Sequence, residues 1–218
     1  MDESRNAPRS GRQAEAARND ARILEAARAV FTANPEAPIA AVAARAGVGI
    51  GALYRRYRGK EELLRKLTRD GQARYIAETE AALADEGDPW EAFAQFMRRV
   101  VNADTHTLTL HLAGTFSPTE EQWREGEQAH ALTVRLLERT KAAGALRSDI
   151  VIGDLTLLFE QLAGISLGDR ERTDQLRHRY LALQLEALRA PGAAPLPGPP
   201  PTWEEINRRF AGPSAAKR

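Results

Sequence analysis

None of the 218 positions holds a cysteine. A disulfide framework, a thiolate metal site and a cysteine nucleophile are therefore all excluded, and the cellular compartment has to be argued from other features. Long apolar runs are missing too. The most apolar segment, Val151 to Leu167, is interrupted by Asp154 and Glu160 and falls short of the roughly 20 residues that span a bilayer, so it reads as a buried helix. The opening stretch, Met1 to Gly11, is polar and charged, whereas a signal peptide needs a basic start followed by an apolar stretch. The expectation is a soluble, cytoplasmic protein with no membrane partner. Strand signals are also lacking: no alternating Val, Ile, Thr or aromatic runs are bounded by Asn-Gly or Asp-Gly. Lysine is scarce, 4 against 27 arginines, and alanine is abundant throughout. A codon bias produces the same pattern, so charge alone does not establish a nucleic-acid partner.

A chain of this length holds one sizeable core or a small module on a larger one, and two units sharing helices is the first expectation. The net charge of +1 hides an asymmetry. Met1 to Asp70 carries 14 Lys or Arg against 9 Asp or Glu, a balance of +5, while the remainder carries 17 against 21, a balance of −4. The basic end is the candidate for a polyanionic partner.

Apolar residues recur at helical spacing. Ile23, Leu24, Ala27, Val30 and Phe31 form one stripe, which Asn34-Pro35 ends, and Ile39, Val42, Ala43 and Ala46 form a second. Gly47 follows, where a helix commonly closes in the left-handed conformation, and Val48 is placed to plug the angle between two helices. Ile50, Leu53 and Tyr57 supply a third stripe, and Gly59-Lys60-Glu61-Glu62 opens a longer helix running to about Asp85, with carboxylates at its positive end. Asp88-Pro89-Trp90-Glu91 combines an N-cap, a proline at the first helical position and a reciprocal glutamate, and Ser117-Pro118-Thr119-Glu120 repeats that signature. These predict helices from Pro89 to Ala103 and from Pro118 to Ala143, with Asp104 to Thr115 left open between them. Helices from Gly153 to Leu167 and Arg172 to Arg189, a proline-rich linker from Pro191 to Pro201 and a last short helix from Trp203 to Phe210 complete the chain.

The segment from Ile39 to Val48 reads as the first helix of a helix-turn-helix. Small Ala43 permits close approach, Gly47 makes the turn, and Gly49 to Tyr57 forms the recognition helix. Its light exposed face suits a major groove about 12 Å wide. The run VAARAGVGIGALYRRYRGKEELL, preceded by ILEAARAVF, resembles the DNA-binding signature of the TetR family. The resemblance implies an all-α fold, in which an N-terminal three-helix DNA-binding domain is joined to a larger helical domain for ligand binding and dimerisation. It matches the family's backbone-contacting tyrosine to Tyr54, the position two residues on to Arg56 and the lysine opening the next helix to Lys60. Pro38, Gly49 and Ala52 stand where the family often has hydroxyl residues, so helix-start amides and arginines are expected to take over part of the phosphate contact. Base reading is thin, because Ala40, Gly49, Ile50 and Gly51 offer no bidentate hydrogen bonds; Ile50 suits a thymine methyl, the two glycines permit close approach, and Arg45 or Arg55 suits a guanine. Arg5, Arg9 and Arg12 precede the first helix as a basic extension, read either as a minor-groove arm or as a solvated terminus.

Domain limits follow at 1–17 for the arm, 18–64 for the helix-turn-helix unit, 65–190 for the effector and dimerisation unit, and 191–218 for the linker and last helix. In the larger unit, Phe93, Met97, Phe116, Trp123 and His130 fall where the family surrounds a pocket, and core packing is the competing reading for each. The dimer interface is expected at Leu155, Phe159, Leu162, Tyr180, Leu181, Leu185 and Leu188, because the last long helix carries two apolar stripes and has to cover both. His106 and His111 are five apart and do not share a helical face. No metal site, cofactor or catalytic constellation is expected. The resemblance implies a homodimer on a pseudopalindromic operator, released by an unknown small-molecule effector. A helical small-molecule-binding protein with weak or lost DNA binding is the alternative, and a helical enzyme a more distant one.

Overall fold

A computed structural model describes the backbone of residues 7–103, 118–190 and 194–208, with side chains from residue 14 onward. Among the described residues there are nine α-helices and no strand: α1 Ala7–Ala33, α2 Ile39–Ala46, α3 Ile50–Arg56, α4 Lys60–Ala84, α5 Pro89–Asn102, α6 Glu120–Ala142, α7 Ile152–Ala163, α8 Arg170–Leu188 and α9 Trp203–Arg208. The chain divides into two compact units, Met1–Leu67 and Thr68–Arg218.

In the first unit α1 packs on α2. Ile23, Ala26, Ala27 and Phe31 of α1 and Val42, Ala43 and Ala46 of α2 are buried, as are Leu53, Tyr57, Leu63 and Leu64. Full burial of a side chain such as Phe31 stabilises by about 1.5–3 kcal/mol. One expectation needs correcting here. Helix α1 already runs from Ala7, so Arg9 and Arg12 belong to a helix and not to a loose arm, while Arg5 lies outside the described residues. Ala14, Ala16, Ala17 and Ala21, with arginine and glutamate between them, supply the helix propensity that carries the first helix back, and Pro8 sits in its first turn, where no amide partner is required.

The second unit is built around Trp90, Phe93, Phe96, Met97 and Val100 of α5, joined by Leu136 and Leu137 of α6, Leu155, Phe159 and Leu162 of α7, and Leu181, Leu185 and Leu188 of α8. Asp88 caps α5 as expected, accepting from the Glu91 amide at 2.8 Å. The Glu91 carboxylate does not reach back; it accepts from Gln95 and Arg98. Helix α6 starts two residues later than expected. Thr119, not Ser117, is the cap, because Thr119 and Gln122 satisfy each other reciprocally at 3.2 and 3.0 Å. Helix α7 is shorter than expected, since Arg177 donates to the Ala163 and Ile165 carbonyls at its end. Helix α8 begins early because Asp169 caps it through the Arg172 amide. Arg139 likewise closes α4 through the Ala82, Leu83 and Asp85 carbonyls.

The tail packs back onto this unit. Asp149, paired with Arg147 at 2.8 Å, accepts from the Leu196 amide at 3.1 Å, and Arg147 donates to the Ala194 carbonyl. Gly153 of α7 lies so close to Pro201 that a Cβ there would sit 2.7 Å from the proline carbonyl oxygen. Ile206 is buried, and the Trp203 ring lies 4.0 Å from that of His130. Helix α9 holds six residues, and the last two expected for it lie outside the described residues.

Candidate nucleic-acid interface

Helix α2 buries the residues its sequence period selects, Ile39, Val42, Ala43 and Ala46. Gly47 then takes φ 64° and ψ 36°, and its amide donates back to Ala44. A side chain in that left-handed conformation crowds the following carbonyl, so glycine makes the turn. Arg22 of α1 reaches across to donate to the Ala46 carbonyl at 2.8 Å, closing the end of α2 from outside. Sequence reading missed Arg22, because its partner is 24 residues away and is a backbone oxygen.

Helix α3 is anchored by Leu53, which is fully buried, and by Tyr57, which follows its last turn. The rest of it faces outward: Gly49, Ile50, Gly51, Tyr54, Arg55 and Arg56 are exposed, with Ile50 at 44% and Tyr54 at 50%, while Ala52 is half-buried. Arg45 of α2 is exposed as well. Neither Pro38 nor Gly49 supplies a side-chain cap to the helix it precedes. The glycines keep the surface low, so this face can approach base edges closely while Tyr54 and Arg55 stand beside it.

Two predicted phosphate contacts have partners of their own. The Lys60 ammonium sits over the Phe31 ring, 5.4 Å from its centre, and Lys60 is half-buried. Arg56 donates through Nε to Asp20 Oδ1 at 2.8 Å and through Nη2 to Oδ2 at 3.0 Å, and the Tyr57 hydroxyl donates to the same Oδ1 at 2.7 Å. The Arg56 hydrogen bond holds the Asp20 carboxyl below its ordinary range, against the opposing effect of partial burial. Burial, reinforced by that carboxylate, pushes the Tyr57 phenol well up. Asp20 was not singled out in the sequence, since an isolated acid in a basic segment reads as a solvated charge.

The predicted effector residues that are described differ in exposure. Phe93 and Met97 are fully buried in the core, Trp123 is 42% exposed, His130 is half-buried and Phe116 lies outside the described residues. His130 Nδ1 is buried without a hydrogen-bond partner, and burial lowers the pKa of its ring. Nearby on α6, the Thr133 hydroxyl meets the phenol of the partly buried Tyr75 at 3.0 Å, and desolvation pushes that phenol up to about 12.

The predicted dimer residues also divide. Leu155, Phe159, Leu162, Leu181, Leu185 and Leu188 are at most 4% exposed and serve the protomer's own core. Of the seven, Tyr180 alone is exposed, and it shares an outward face of α8 with Leu183, 60% exposed, and Ala187. Of the two stripes on α8, the Leu181 stripe is therefore the inner one. Among the described residues no group of three or more His, Asp or Glu is placed to hold a metal ion, and no helix is long and apolar enough to cross a membrane.

Residues 23–67 match the family model described as bacterial regulatory proteins, tetR family, and residues 88–190 match that of the SbtR-like transcriptional regulator C-terminal domain. A TetR transcriptional regulator from Streptomyces coelicolor is 29% identical, with a TM-score of 0.56 over 80% of this chain and 99% of its own. A TetR regulatory protein from Mycobacterium vanbaalenii is 29% identical, with a TM-score of 0.52 over 82% of this chain and 99% of its own. The ketosteroid transcriptional regulator of Mycobacterium tuberculosis, 17% identical, shares the fold with a TM-score of 0.58 over 78% of this chain and 94% of its own. No curated protein matches the chain.

Proposed function

Because this chain belongs to the TetR family of bacterial transcriptional regulators, we propose that it works as a homodimer in the cytoplasm, its two α3 helices entering successive major grooves about 34 Å apart on a pseudopalindromic operator. The observation that carries this reading is the division of α3: Leu53 is fully buried while Ile50 and Tyr54 are about half exposed. A seven-residue helix is held by one apolar anchor and offers the rest of its surface to a partner. Ile50 meets a thymine methyl, Arg45 or Arg55 reads a guanine edge, and Tyr54 and Lys60 reach the sugar-phosphate backbone, with Gly49, Gly51 and Ala52 permitting the approach.

The partner protomer is met through α7 and the outward face of α8, where Tyr180, Leu183 and Ala187 are exposed. An unidentified small molecule, bound by the larger unit near His130, prefers the form in which the spacing of the two α3 helices is wrong. It releases the operator in proportion to its differential affinity for the two states, so the protein is a repressor. Selection of genomic fragments with the purified protein tests the reading. Enrichment of sequences with two-fold symmetry supports it. A pool without any enriched site favours the alternative, a small-molecule-binding protein that has lost DNA recognition, which the missing hydroxyl caps at Pro38 and Gly49 speak for.

A further inference from the structure

We propose that Asp20 sets the strength of sequence-independent DNA binding: its two-point ion pair withholds Arg56 from phosphate and so weakens the hold on DNA of any sequence. The proposal rests on the DNA-binding reading above.

The pair is asymmetric. The Asp20 side chain is 16% exposed and fixed by three donors, whereas the Arg56 side chain is 60% exposed. A sheltered anion thus holds an exposed cation at the end of the same helix that presents Ile50, Tyr54 and Arg55. Stability alone accounts poorly for this arrangement. Ion pairs as open as this one add little to folding, and the Tyr57 phenol needs a single acceptor, which a neutral side chain also provides. What remains is the electrostatic effect on the outer surface. Arg56 commits its Nε–H and one Nη2–H to Asp20, the fork that would otherwise grip a phosphate side-on. A phosphate that captured Arg56 would break two charge-assisted hydrogen bonds and leave the carboxylate unpaired beside another anion.

That opposition acts on backbone attraction, which is blind to sequence. Contacts of Ile50 or Arg55 with base edges do not depend on it. Binding to operator and random sequence is therefore weakened alike when Arg56 is engaged, and the ratio between them is unchanged.

The test compares the wild-type protein with Asp20→Asn, which is nearly isosteric, keeps an acceptor for Tyr57 and removes the charge. Affinity for a random-sequence duplex is measured across a salt series, beside a fragment recovered in the genomic selection. Asp20→Asn is expected to bind the random duplex and the selected fragment alike about 5–10-fold more tightly, to steepen the log-log salt dependence by about one unit, and to leave the preference for the selected fragment unchanged. Adding Arg56→Gln is expected to abolish the gain. Thermal melts accompany each variant, and Asp20→Ser, which leaves a hydroxyl for Tyr57, is read in the same way if Asp20→Asn does not fold. Folded variants with wild-type affinity and slope overturn the proposal, as does a gain that survives Arg56→Gln. A wild-type protein that binds no duplex at all overturns the DNA-binding reading with it, whereas salt-dependent wild-type binding with unresponsive Asp20 variants overturns this proposal alone.

Discussion

Gly47 and Ile50 lie three residues apart, one orienting the recognition helix and the other presented by it. Gly47 at φ 64° leaves no comfortable place for a side chain, and an added Cβ would lie 3.0 Å from the Arg22 guanidinium that closes α2. Gly47→Ala is accordingly expected to lower stability by about 1–2 kcal/mol, measured by urea unfolding followed by circular dichroism. Ile50 contributes nothing to the core at 44% exposure, so Ile50→Ala is expected to leave stability within about 0.5 kcal/mol while changing the preference among selected fragments. An equal loss on selected and random duplexes would remove Ile50 from base reading. At this scale the sequence was legible wherever the cause was local. Gly47 announced itself by following an apolar stripe. Asp20 and Arg56 did not, because 36 residues separate them and they meet only once α1, α2 and α3 have packed.

Helices end in this protein by a device that local sequence does not display. Arg22, Arg139 and Arg177 each reach from another helix to the last carbonyls of α2, α4 and α7. Such caps involve side chains distant in sequence, which is why the predicted end of α7 overshot by four residues. Helix starts were more readable where the cap was recognised, as at Asp88; Asp169 and Thr119 also act within three residues but were passed over, the first for a start at Arg172 and the second for Ser117. The contact of α7 with the tail is tight enough to test directly. In Gly153→Ala the new methyl collides with Pro201, and the tail should lift from α7. Trypsin is expected to cut at Arg208 and Arg189 several-fold faster than in the wild type, with the melting temperature lowered by a few degrees at most. Unchanged cleavage would mean that the tail accommodates the methyl by shifting locally.

For the molecule as a whole, hydrophobic period showed that α8 has two apolar stripes but not which one a partner would meet, because both satisfy the same spacing. Burial separates them, and the difference is measurable. Leu183→Glu, on the outward face, is expected to raise the dimer dissociation constant at least tenfold in sedimentation experiments and to reduce operator affinity in parallel, with little change in helix content. Leu185→Ala, inside the core at 4% exposure, should instead cost about 2–5 kcal/mol of folding stability. Leu183→Glu remaining fully dimeric would relocate the interface to another surface.

The docked tail bears on how this protein can be shortened or fused. Trimming the gene at the proline stretch would strip the cover from Gly153, remove the ring beside His130 and open the socket that Ile206 fills, giving a shortened product prone to self-association. An added partner domain at the far end, by contrast, would tug first on Ile206 and Trp203, and only after those gave way on the clasp that Asp149 and Arg147 close on Ala194 and Leu196.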